Sequence, residues 1–167
     1  MKNQGLFIEI GDAYLQLVHL DAGIDEAVAR IQRAAESLTT ESISELLRDG
    51  DSWRERMVGL VLASHNGIQK HSQDLIAALQ NTGGISIVPI YAATSIAVRD
   101  FACPYDRKIS DSLDRDAWDG EIGFAIDWLH YTIGIGDTPG KAMGPNYGQD
   151  FAKHRSFYAK LSMAGQT

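Results

Sequence analysis

Nine residues near the end of this 167-residue chain come closest to a chemical motif. Gly134-Ile135-Gly136-Asp137-Thr138-Pro139-Gly140-Lys141-Ala142 has the glycines and the lysine of a phosphate-cradling loop. That chemistry needs Gly-x-x-x-x-Gly-Lys followed by Ser or Thr. The glycines let backbone N–H groups approach the phosphate, the lysine neutralises it, and the hydroxyl holds magnesium. Counting back from Gly140-Lys141, the first glycine position falls on Ile135, and Ala142 stands where the hydroxyl belongs. No strand-like apolar run precedes the segment. It reads as a surface loop that contacts a partner, and no cofactor is expected.

A run of acids is the second candidate: Asp106, Asp111, Asp114, Asp116 and Asp119. A calcium loop takes oxygen ligands from alternating positions. Asp114 and Asp116 would serve, but Trp118 occupies the next place, so no metal is expected. Helix capping and a solvated edge account for some of these acids. Asp116 or Asp119 can also pair with Arg54 or Arg56 between neighbouring helices. As a functional surface, the five are the candidate partner-binding residues, suited to a basic protein. His19, His65, His71, His130 and His154 show no metal-ligand spacing and read as polar tips beside apolar helices. Cys103 has Arg99, Arg107 and Lys108 near it in sequence but no evident base, which makes it a structural thiol. No catalytic constellation emerges, and a non-enzymatic protein is expected.

The elements that carry these residues have helical period. Phe7, Ile10, Tyr14, Leu17 and Val18 share a helix face, although a hairpin turning at Gly11-Asp12 is a competing reading of residues 6–20. Ile24, Val28, Ile31, Ala35 and Leu38 form a stripe. Ser42 and Glu45 suggest a capping box for a helix that stops at Gly50. An Asp51-Ser52 start then leads into Trp53, Met57, Leu60, Val61 and Ser64, at i, i+4, i+7, i+8 and i+11. Arg54 and Arg56 sit in the first turn, where the helix dipole disfavours cations, so other groups must pair with them. Ile68, Ser72, Leu75, Ile76 and Leu79 mark a further helix. Pro89 fits the first turn of the next, and Cys103-Pro104 breaks it. Ile109 and Leu113 suggest a short helix. Trp118, Ile122, Ala125, Ile126 and Leu129 define a long one, apolar enough to be central, with Trp53, Trp118 and Trp128 all expected in the core. Residues 133–149 hold five glycines between 133 and 148 and have no period, so they form a long loop. A last helix is expected over 150–164.

These elements describe one all-α domain spanning 1–167, a HEAT/armadillo-like array of antiparallel helix pairs. The 44% hydrophobic and 22% charged fractions fit a globular chain, and no apolar run approaches a membrane span. Met1-Lys2-Asn3-Gln4-Gly5 makes a poor signal peptide, and one cysteine permits no internal disulfide, so a cytoplasmic location is expected. The net charge of −7 argues against nucleic-acid binding, which lysine and arginine carry. Residues 106–132 concentrate that charge, with 7 acids against 3 bases.

The helix from Asp51 to Ala63 resembles HEAT-like helical proteins. It is most similar to an uncharacterised bacterial family with a Trp-Arg-x-x-hydrophobic-x-Gly helix after a short acidic loop. Ala13-Tyr14-Leu15-Gln16-Leu17-Val18-His19 resembles that family's opening helix, and Asp116-Ala117-Trp118 its Asp-x-Trp start to a later one. The tail from Ile133 has no counterpart in it. Small acidic helical proteins of this sort are similar to immunity proteins of bacterial toxin systems. The resemblance implies a non-enzymatic immunity protein that occludes the active site of a basic cognate toxin domain. Two other readings stand beside it. One is a small helical enzyme or ligand-binding domain with a pocket under the 133–149 loop, using Asp127, His130, Tyr131 and Tyr147. The other is a structural scaffold or oligomerisation module.

Overall fold

The structure, a computed structural model, describes residues 4–165. The leader reading of Met1, Lys2 and Asn3 and the last two residues of the 1–167 domain lie outside the described residues. The described chain is all-α, with no strand among those residues. Its helices are α1 (Gln4–Ile10), α2 (Gln16–His19), α3 (Ile24–Ala34), α4 (Thr40–Asp49), α5 (Trp53–Gly67), α6 (Ser72–Ala78), α7 (Ile87–Asp100), α8 (Arg107–Asp111), α9 (Glu121–Thr132) and α10 (Tyr147–Ala164). None is long and apolar enough to cross a membrane.

The opening region is helical, not a hairpin. α1 ends at Gly11, whose φ of +60° suits a residue without Cβ, and Ile10 and Leu17 both reach the core. The cap of α4 lies three residues before the expected one. Thr39 accepts from the Ser42 backbone N–H at 3.1 Å, so Ser42 sits inside the first turn. Ser52 caps α5 by accepting from Glu55 N–H at 3.5 Å, while the buried Glu55 carboxylate accepts from Asp51 N–H at 2.5 Å. The two arginines of that turn find partners other than the acids 116 and 119. Arg54 lies 5.4 Å from the Tyr14 ring centroid and 5.5 Å from that of Trp53, and Arg56 donates to the Gly50 carbonyl.

The core forms around α5 and α7. In α5 every residue from Met57 to Ser64 is buried, and in α7 every residue from Pro89 to Ala97. α4 crosses α5 closely because Gly59 has no side chain: a Cβ there would stand 2.6 Å from the Leu47 backbone nitrogen. α9 packs on α7, and α10 returns to pack on both α7 and α5. Ser162 pins that return by accepting the Ile68 backbone N–H at 3.2 Å. In a linear solenoid each unit touches only its neighbours. Here the last helix closes on elements from the middle of the chain. Two buried hydroxyls of α7 are satisfied within the helix: Thr94 donates to the Ile90 carbonyl at 2.8 Å and Ser95 to that of Ala92 at 2.6 Å.

One expected helix start is wrong. Trp118 and Asp119 have φ of +56° and +55°, and Gly120 follows at +84°. Three successive left-handed residues cannot propagate a right-handed helix, so α9 begins at Glu121. Nor is Trp118 a core residue, since it is 58% exposed. The segment expected as a loop over 133–149 does lack helix at first, but α10 begins at Tyr147 instead of 150.

Candidate functional site

All five acids between 106 and 119 are solvent-exposed. Asp106 caps α8, accepting from Lys108 N–H at 2.9 Å, and Asp111 faces Arg107 at 3.8 Å on the same helix. Asp114 folds the turn by accepting from Asp116 N–H at 3.1 Å. Of the three cations inside the run, Arg107, Lys108 and Arg115, the last reaches away from Asp114, Asp116 and Asp119. Its Nη2 donates to Asp127 at 2.7 Å and to the Gly123 carbonyl at 3.1 Å. The charges of Asp114, Asp116 and Asp119 are therefore left facing solvent without the neighbouring arginine.

Between Asp116 and Asp119 is the exposed Trp118. Its ring lies on the glycine pair before α7: a Cβ on Gly83 would stand 2.5 Å from Trp118 Cζ2, and one on Gly84 3.6 Å from Cζ3. The next residue, Ile85, is a second exposed large apolar side chain. Left-handed backbone at a tryptophan and the aspartate after it is strain of the kind that persists where the surroundings over-determine it. Trp118 and Ile85 are thus two exposed apolar side chains on either side of the Gly83-Gly84 contact, with the exposed acids of the same turn adjoining Trp118 in sequence. Sequence periodicity concealed it, because Trp118 matched the stripe of α9. The signal that could have revealed it was the density of turn-forming aspartates before Gly120.

A cleft of about 720 Å³ lies under the glycine-rich loop, bounded by Arg107, Asp127, His130 and residues 134–140. Of the four polar groups expected there, Asp127 and His130 line it. Tyr131 and Tyr147 do not: Tyr131 packs on Trp128 at 5.7 Å, and the Tyr147 hydroxyl donates to Glu121 at 3.4 Å. Lys141 is also outside the lining, and the loop follows a helix, not a strand.

His130 is held from behind. Its Nε2 stands 3.0 Å from Ser110 Oγ and 3.2 Å from Tyr105 Oη. Ser110 donates to the Arg107 carbonyl at 2.9 Å, so its proton is directed away from Nε2. A serine whose proton is committed to a carbonyl is not an activated nucleophile. Burial, then the charge of Arg107, holds the His130 ring below the usual imidazole range and keeps it neutral at pH 7.

A second polar network joins Ser44, His71, Asp74 and Asn66, with Ser44 Oγ 3.2 Å from His71 Nδ1. Ser44 donates to Asp74 at 2.7 Å, while His71 Nδ1 lies 3.3 Å from the same carboxylate oxygen and Nε2 faces the Asn66 amide at 3.2 Å. His71 is fully enclosed, and the network ties α4, α5 and α6 together. The half-buried Cys103 thiol donates to the Phe101 carbonyl at 4.0 Å. Among the described residues, no three His, Cys, Asp or Glu side chains converge as metal ligands. The chain matches no family model, no curated protein and no solved structure.

Proposed function

We propose that this chain is a non-enzymatic binding module that docks a basic protein through its 106–119 face. In its most concrete form it is an immunity protein that neutralises a cognate toxin by occluding the toxin's active site. The observation that carries the reading is Trp118, an exposed aromatic in left-handed backbone, in a turn whose neighbours in sequence include the exposed Asp114, Asp116 and Asp119. Tryptophan is the side chain most enriched at energetic centres of interfaces, and charges of one sign steer a partner of the opposite sign. The net charge of −7 extends that steering over the surface.

The test is co-expression with the protein encoded next door, followed by pull-down and growth rescue. Capture and protection are expected for the native chain. Trp118→Ala should cost at least about 2 kcal/mol of binding, a loss of thirtyfold or more. The triple change of Asp114, Asp116 and Asp119 to Asn should slow association and remove most of its salt dependence. No capture and no protection refutes the immunity reading.

The cleft under the glycine-rich loop favours a second reading, a small-ligand site built on Arg107, Asp127 and the loop backbone. A saturable rise in melting temperature with a small anion or metabolite would support it.

A further inference from the structure

Beside Trp118 a separate cleft of about 540 Å³ opens between the start of α7, the start of α9 and the first turns of α10. The two are continuous, because Gly84 lies under the Trp118 ring and also lines the cleft, with Ile85 next to it. One wall is apolar, made by Ile85, Val88 and Pro89. The other carries Glu121 and Asp150. Lys153, the cation of the cleft, is spent on the His19 carbonyl and on Asp21, 3.4 Å away. Among the described residues no cation pairs with Glu121 or Asp150, and Glu121 has only the Tyr147 hydroxyl.

His154, 6% exposed, also lines the cleft, and its buried Nδ1 has no hydrogen-bond partner. The cleft thus presents two carboxylates without a cation and an unpartnered ring nitrogen beside apolar side chains. An alkyl cation supplies what each lacks: N–H donors for the polar side, and a methylene stem for the apolar side.

We infer that this cleft receives a lysine or arginine side chain of the basic partner, seated between Ile85, Val88 and Pro89 on one side and Glu121 and Asp150 on the other. The inference rests on the docking reading above and gives it a specific contact beside Trp118. Burial pushes the Glu121 carboxyl above the usual carboxylate range, a cost that an incoming cation offsets.

The probes are Nα-acetyl-lysine methylamide and Nα-acetyl-arginine methylamide, with the uncharged norleucine analogue as comparator, titrated into the full chain under amide NMR. The charged probes should shift Ile85, Val88, Glu121 and His154 saturably, and the norleucine probe should not. Glu121→Gln, nearly isosteric, should weaken the charged probes about tenfold, and Asp150→Asn, on the exposed side, should weaken them less. Equal shifts from all three probes, or undiminished binding in both variants, would overturn the inference. Partner capture that persists while the probes fail overturns the cleft alone. Probes that bind while capture fails support the cleft and overturn the docking face.

Discussion

Replacing His154 with Gln should flatten the acid limb of the protein's stability curve. His154 stacks on Tyr158, one turn later in α10, with ring centroids 6.1 Å apart and planes 18° apart. Burial, and then the neighbouring Lys153 charge, pushes the imidazole down to about 4, with the Val18 backbone hydrogen bond opposing and His19 adding to the fall. In the unfolded chain the same ring titrates near 6.5. Between those values the unfolded chain holds a proton that the folded chain refuses. Stability therefore falls as pH drops through that window, with a limiting slope of about 1.4 kcal/mol per pH unit. Above the unfolded value the group costs nothing. By pH 4 the loss reaches about 3 kcal/mol, and most of it, about 2.5 kcal/mol, has gone by pH 4.5. That is a large share of the roughly 5–15 kcal/mol by which domains are stable.

Two other groups act in the same pH range. His130 is also held low and adds loss in the same direction. Glu121 is held high, so the folded state binds its proton more tightly and gains stability as pH falls. Both remain in the His154→Gln variant, so the difference between variant and native chain isolates His154. Urea unfolding followed by far-UV circular dichroism at about pH 7 and about pH 4.5 gives the comparison. The native chain should lose about 2.5 kcal/mol more than the variant between the two pH values. Losses that agree within about 0.5 kcal/mol would refute the reasoning, because they would mean that His154 protonates in the folded protein as easily as in water.

Phe151→Ala tests whether α10 belongs to the central core. The ring is enclosed, 6.1 Å from that of Trp128, and its removal should cost about 3–5 kcal/mol, read as a lower urea midpoint with an unchanged slope. A cost below about 1 kcal/mol would mean that α10 only lies on the surface. Gly83→Ala tests the seat of Trp118. The backbone there is extended, at φ −159°, and accepts any residue, but the new methyl would stand 2.5 Å from Cζ2. The indole should lift off, changing tryptophan emission and weakening partner capture. Unchanged emission would show that the ring does not rest on Gly83.

What was legible in the sequence divides by the range of the forces involved. The start of α5 is written within five residues, by Ser52 and Glu55, and the break after α7 by Cys103-Pro104. Local stereochemistry decides both, so reading along the chain suffices. The Thr39 cap was missed because Ser42 and Thr39 offer the same chemistry three residues apart. The backbone chose the one whose extended conformation leads into the helix. Which helices are central was not legible. The stripe from Trp53 to Ser64 predicts one buried face, yet α5 is enclosed nearly all round because α4, α7 and α10 surround it. The covering by α10 comes from about a hundred residues downstream. The exposure of the five acids follows from charge alone. Their relation to Trp118 does not. It depends on Gly83 and Gly84, which meet the indole only after α7 and α9 have packed together. A hydrophobic residue on a helical period counts as core until some other contact holds it outside. At Trp118 that contact is a pair of glycines some thirty-five residues away, and the strained backbone keeps it there. The apolar part of the candidate docking face is therefore a tertiary feature, whereas its charged part is a local one.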